Sequence, residues 1–87
     1  MKKKILIISG GISKERIISL DTGKQVAKEL IKYGHPVKIA EPDTSLINTI
    51  NSFKPNIIFN ALHGQFGEDG YIQTILETTG IAYTHSG

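Results

Sequence analysis

Cysteine is absent from the 87 residues, so neither a disulfide framework nor a thiolate metal site can hold so short a chain together. Burial must supply nearly all of its stability. Long hydrophobic runs are also missing: Ile5-Leu6-Ile7-Ile8 is the longest aliphatic stretch, against the roughly 18 residues a membrane span needs. No membrane insertion is expected. Lys2, Lys3 and Lys4 imitate the charged start of a signal peptide, but the apolar run behind them stops at Ser9-Gly10-Gly11, too short for a signal core. A cytoplasmic protein is expected. Charge of one sign is scarce, with 10 Lys+Arg against 8 Asp+Glu and a net charge of +2. Lys24, Lys28 and Lys32 recur every four residues as a solvated helix face would, with no aromatic residue between them to stack a base, so no nucleic-acid partner is expected. Repeats, low-complexity tracts and Gly/Ser linkers are lacking, which leaves one continuous domain.

What the sequence does contain is clustered aliphatic residues separated by turn chemistry. Lys4–Ser9 is β-branched and apolar, and Gly10-Gly11 stops it, as for a strand buried on both faces. Between Ser19 and Tyr33 the apolar residues Leu20, Val26, Ala27, Leu30 and Ile31 follow helical spacing, and Gly34 and Pro36 supply the stop. Val37–Ala40 reads as a second strand. Glu41-Pro42-Asp43 reads as a turn that delivers Asp43 or Thr44 as the N-cap of a helix over Ser45–Phe53, with Leu46, Ile47, Ile50 and Phe53 as its stripe. Ile57–Leu62 is a third strand. A helix from about Asp69 to Thr79 places Ile72, Ile75 and Leu76 inward, Gly80 ends it, and Ile81–Tyr83 forms a fourth strand. Single helices alternating with strands predict an α/β fold: an open, mostly parallel four-stranded sheet with three helices distributed over both faces. Such sheets bind ligands at the carboxyl ends of their strands, where strand order reverses.

Two loops fall at such ends, Gly10–Ile18 and His63–Gly70. The first, GGISKER, matches neither G-x-G-x-x-G nor G-x-x-x-x-G-K-[ST], so it is not a dinucleotide or triphosphate cradle. A receiver-type acceptor is excluded as well, since Asn60-Ala61-Leu62-His63 stands where its Asp would close the third strand. On their own, Gly10-Gly11 is a tight turn, and Glu15 and Arg16 are solvated loop charges. The second loop, HGQFGEDG, spaces Gly64, Gly67 and Gly70 by three and adds His63, Glu68 and Asp69. Carboxylates at a helix start are stabilised by the helix dipole, which accounts for Asp69. His63, at the end of a buried strand, fits a donor to an anion and fits equally a core histidine satisfied by backbone. His35 and His85 lack comparable context.

Taken together, GGISKERIISL, NALHGQFGEDGYIQTILE and GIAYTHSG resemble the amino-terminal domain of bacterial D-alanine–D-alanine ligases of the ATP-grasp superfamily, over essentially the whole chain and in the family's order and spacing. Departures are small: Ile18 replaces the usual Val, Thr74 stands where Gly often follows Gln73, and His85 stands where Gly commonly precedes Ser86-Gly87.

The resemblance implies a Rossmann-like pre-ATP-grasp domain over residues 1–87 that forms part of the first D-alanine site for dipeptide synthesis in peptidoglycan biosynthesis. It implies that Glu15 pairs with the ammonium of that D-alanine and that His63 lies by its carboxylate, these two being the catalytic pair. It implies further that Ser19 and Glu68 belong with Glu15 and His63 to the substrate-binding set, Ser19 holding the Glu15 loop and Glu68 supporting the second loop. In the family reaction ATP phosphorylates the first D-alanine's carboxylate, the second D-alanine's amine attacks the acylphosphate, and phosphate leaves. ATP and two magnesium ions belong to central and carboxy-terminal domains outside these residues, so no cofactor or metal is expected here, and the fragment alone is expected to be inactive. The remaining ligase domains are its expected partners, with a homodimer as the full-length protein. The rival reading is a stand-alone Rossmann-like binding or dimerisation module; a different ATP-grasp amino-acid ligase ranks below both.

Overall fold

The computed structural model describes residues 2–11, 14–62 and 71–85, and of residues 71–73 and 85 the backbone alone. Seven elements alternate: β1 (Ile5–Ile8), α1 (Arg16–Lys32), β2 (Val37–Ala40), α2 (Leu46–Phe53), β3 (Ile57–Asn60), α3 (Tyr71–Thr79) and β4 (Ala82–His85). All strand pairings are parallel, in the order β2-β1-β3-β4, with Ile8 opposite both Ala40 and Asn60. The four residues of β1 are buried because β1 is central and covered on both faces. That is why it reads as an unbroken apolar run rather than an alternating one.

The two faces have different cores. Leu6, Ile8 and Ile58 pack with Leu46 and Ile50 of α2 and with Ile75 and Leu76 of α3. Ile5 and Ile7 point the other way and pack with Ala27 of α1 and with Ala61, flanked by Val26, Leu30, Val37, Ile57 and Phe59. Helices therefore cover both faces, as the sequence pattern predicts, with α1 alone on one. Among the described residues no helix is long and apolar enough to cross a membrane. Lys24, Lys28 and Lys32 are exposed on α1, in keeping with a solvated face.

Several boundaries differ from the sequence reading. Helix α1 begins three residues before Ser19; its first turn carries the exposed Ile17 and Ile18, so no burial pattern could report it. Strand β4 runs to His85 and omits Ile81, because its extent follows the ladder with β3, from Ile57–Ala82 to Asn60–His85, rather than its own hydropathy. The N-cap of α2 is Ser45; Asp43 instead accepts the Ser45 amide at 2.9 Å from outside the helix. Ile31 and Ile47, read as inward, are 58% and 49% exposed. Helix α2 ends at Lys54 in the left-handed region, φ 53°, a non-glycine cap that Pro55 follows.

The buried stripe of α1 is made of small residues, Ser19, Gly23 and Ala27, spaced by four. A Cβ placed on Gly23 would lie 2.9 Å from both Cβ and Oγ of Ser9 and 3.4 Å from Ile7, so the missing side chain is what lets α1 lie on β1. Ser9 is fully buried, and its hydroxyl has no hydrogen-bond partner among the described residues. Gly23→Ala would gain about 1 kcal/mol in helix propensity but meets a contact costing about 1–3 kcal/mol. A net loss of stability is expected in denaturant unfolding, partly restored when Ser9→Gly is added. Ser9→Ala alone should be neutral or stabilising, since it removes an unsatisfied buried hydroxyl.

Candidate functional site at the switch point of the sheet

From β1 the chain crosses to β2 on one side and then, through α2, to β3 on the other side of β1. Strand order reverses between β1 and β3, the position at which open α/β sheets place their ligand crevice. The ladder continues just past the strands: Ser9 donates its amide to Ala40 at 3.0 Å and Ala61 donates to Ile8 at 2.8 Å. Three strand ends are thereby level at the crevice floor.

Ser19, from the second turn of α1, joins the two sides. Its hydroxyl donates to the Ala61 carbonyl at 2.7 Å and accepts the Gly10 amide at 2.9 Å, and the residue is completely buried. Its own amide donates to the carbonyl of Glu15, the N-cap residue of α1, at 2.9 Å. A continuous chain of contacts therefore runs from Glu15 through Ser19 to Ala61, two residues before His63. Asn60 shapes the same exit, its side-chain oxygen accepting the Leu62 amide at 3.0 Å.

A second set of contacts closes over the glycine turn. Arg16, the first residue of α1, forms a two-pronged ion pair with Glu41 just after β2: Nη1 donates to Oε1 and Nη2 donates to Oε2 at 2.7 Å. Nη1 also donates to the Gly11 carbonyl at 3.0 Å. The Arg16 hydrogen bond holds the Glu41 carboxyl below the usual carboxylate range, the Gly11 amide adding to the effect, while the arginine is pushed up in turn. Because the folded carboxyl is the stronger acid, whatever stability the pair contributes is complete above the ordinary carboxylate range. It is lost as the pH falls through the lowered value. Gly10 and Gly11 have φ of 94° and 88°, and a Cβ on Gly10 would sit 2.7 Å from Glu41 Oε1. Backbone conformation and space both require glycine there.

Neither described amide of the turn is open to a phosphate group. The Gly10 amide is taken by Ser19 and the Gly11 amide by the Glu41 carboxylate, so an anion arriving there would find these two donors already used.

Of the residues singled out from sequence, Glu15 is exposed at the crevice edge and Ser19 is buried beneath it. His63 and Glu68 lie outside the described residues. Arg16 and Glu41 were read as a loop charge and a turn residue; 25 positions apart, they carry no local signal of pairing. Replacing Ser19 by Ala would strand the Gly10 amide and the Ala61 carbonyl in a buried place. A loss of about 1–3 kcal/mol is expected in denaturant unfolding, and an unchanged midpoint would mean that both groups find other partners.

The chain is similar to known proteins throughout. The family described as the D-ala D-ala ligase N-terminus matches residues 36–86. The D-alanine–D-alanine ligase of Pelagibacter ubique is 77% identical over the whole chain, and that of Paramagnetospirillum magneticum is 42% identical. The chain spans 29% and 30% of their lengths. Among solved structures, the D-alanine–D-alanine ligase of Bacillus anthracis complexed with ATP superposes with a TM-score of 0.80 at 31% identity, over 97% of this chain and 28% of that one. The chain belongs to the amino-terminal family of D-alanine–D-alanine ligases.

Proposed function

We propose that this segment forms one wall of the site for the first D-alanine in an ATP-dependent D-alanine–D-alanine ligase whose ATP-grasp domains complete the enzyme and hold ATP and magnesium. The observation that carries the reading is the Ser19 bridge, with Oγ 2.7 Å from the Ala61 carbonyl and 2.9 Å from the Gly10 amide. It locks the loop bearing Glu15 to the strand leading to His63. An amino acid is a zwitterion, so a site for it needs an anion facing the ammonium and a donor facing the carboxylate. Glu15 supplies the first, and His63, two residues beyond the Ser19 contact, supplies the second.

In this reading Glu15 accepts hydrogen bonds from the D-alanine ammonium and fixes the amino end. The His63 imidazole donates to a carboxylate oxygen, turning the other oxygen towards the phosphoryl donor and stabilising charge as the carboxyl group is activated. Ser19 touches no substrate and keeps the Glu15 helix start and the third-strand exit in register. Glu68 supports the second loop. ATP supplies the phosphoryl group that activates the carboxyl; the described residues of this segment offer that nucleotide no free anion-binding amides at the glycine turn.

Glu15→Gln in the full-length ligase replaces a charge-assisted bond of about 1.5–3 kcal/mol with a neutral contact. The KM of the first D-alanine is expected to rise roughly 10- to 100-fold with the ATP KM unchanged, and parent-like rates at low D-alanine would return Glu15 to a solvated charge. For His63 the diagnostic is a pair of variants followed by turnover and thermal midpoint together. Ala should lower turnover by about 10²–10³-fold, as for a lost oxyanion donor, and Gln, which keeps a donor, should lower it less. A stably folded Ala variant with normal turnover would remove His63 from the site.

A further inference from the structure

We infer that Glu41, on the neighbouring strand's exit and away from the crevice, is a positioning residue for Glu15. The inference rests on the reading of Glu15 as the ammonium partner. The segment that carries Glu15 begins at Gly11 and ends at Arg16, and the Glu41 carboxylate grips both ends. At one end it accepts the Gly11 amide. At the other it takes both prongs of the Arg16 guanidinium, whose Nη1 also reaches back to the Gly11 carbonyl. Glu15 thus sits next to a residue fixed in distance and direction by a planar two-point contact, which a lysine or a single hydrogen bond would not impose.

Glu41 is itself well anchored. Ala40 before it accepts the Ser9 amide at 3.0 Å, and its own carbonyl accepts the Asp43 amide at 2.9 Å in the turn containing Pro42. The carboxylate lies against the Gly10 backbone so closely that any Cβ there would collide with it. With side chains 43% and 39% exposed, the pair faces water, and exposed ion pairs contribute little to stability. Its geometry is what matters: a small displacement of a substrate-holding group costs far more in binding than a surface ion pair does in folding.

The full-length ligase carrying this segment provides the test, as a cycle of Glu15→Gln, Glu41→Gln and the double variant, with Arg16→Lys alongside. Glu41→Gln preserves shape on a half-exposed side chain, and Arg16→Lys keeps the charge while losing the fork. Each of these two should raise the KM of the first D-alanine roughly tenfold, with the ATP KM and the thermal midpoint close to parent. In the Glu15→Gln background, Glu41→Gln should add less than a further twofold, because the group it positions is gone. Multiplicative effects in the double variant would overturn the inference, as would a fall in thermal midpoint with no change in KM, or a parent-like Arg16→Lys. If Glu15→Gln itself leaves the KM unchanged, the assignment of Glu15 fails and this inference with it. If Glu15→Gln raises the KM and Glu41→Gln does not, only the inference fails.

Discussion

One buried hydroxyl holds the two halves of this segment in register. In a parallel sheet whose order reverses at β1 and β3, the ladder between these strands ends at the bond from the Ala61 amide to the Ile8 carbonyl, and it does not set where the start of α1 sits against them. Ser19 fixes it by donating to the exit of β3 and accepting from the exit of β1. Donor and acceptor would otherwise be buried and unmatched, so the hydroxyl is specified twice: by the polar groups it satisfies and by the spacing of the strands that present them. The small-residue stripe continues that specification down the helix, because Ser19 reaches both strands only if Gly23 lets α1 lie close to β1.

The glycine turn illustrates how a shared architecture is turned to different chemistry. In nucleotide-binding sheets the amides after the first strand are left free for phosphate oxygens. Here a hydroxyl and a carboxylate of the same chain take them. Those two amides are therefore not open to an anionic ligand, and the N-cap residue of α1, exposed beside Lys14, is an acid, Glu15. A cationic amine suits such an edge better than a phosphate does.

Much of this was legible in the residues. The alternation of elements, β2 to the residue, and the inward side chains Leu46, Ile50 and Phe53 of α2 and Ile75 and Leu76 of α3 followed from aliphatic spacing and from Gly34, Pro36 and Gly80, because burial and turn chemistry leave local marks. The inward stripe of α1 is legible only in part: Ala27, with Val26 and Leu30 beside it, follows from the apolar spacing, but serine and glycine do not register as hydrophobic, so Ser19 and Gly23 go unmarked while the exposed Ile31 stands out. Lys54 was unreadable as a cap because the left-handed conformation ordinarily announces itself as glycine. For the proposed site, Glu15, Ser19 and His63 are candidates through motif resemblance, which needs no geometry. The Arg16–Glu41 pair was not, since it arises only when β1 and β2 are set side by side.

The strand order also bears on how the segment is made. Ile5–Ile8 lies in the middle of the sheet, yet its partners are β2, from residue 37, and β3, from residue 57. On a ribosome adding about 5–20 residues per second, the most apolar strand waits roughly 3–10 seconds for its second neighbour to be synthesised. Until then four aliphatic side chains with open edges on either side are available to any other nascent chain. The three lysines just ahead of them, Lys2, Lys3 and Lys4, lie where a charged gatekeeper would guard such a strand during that interval.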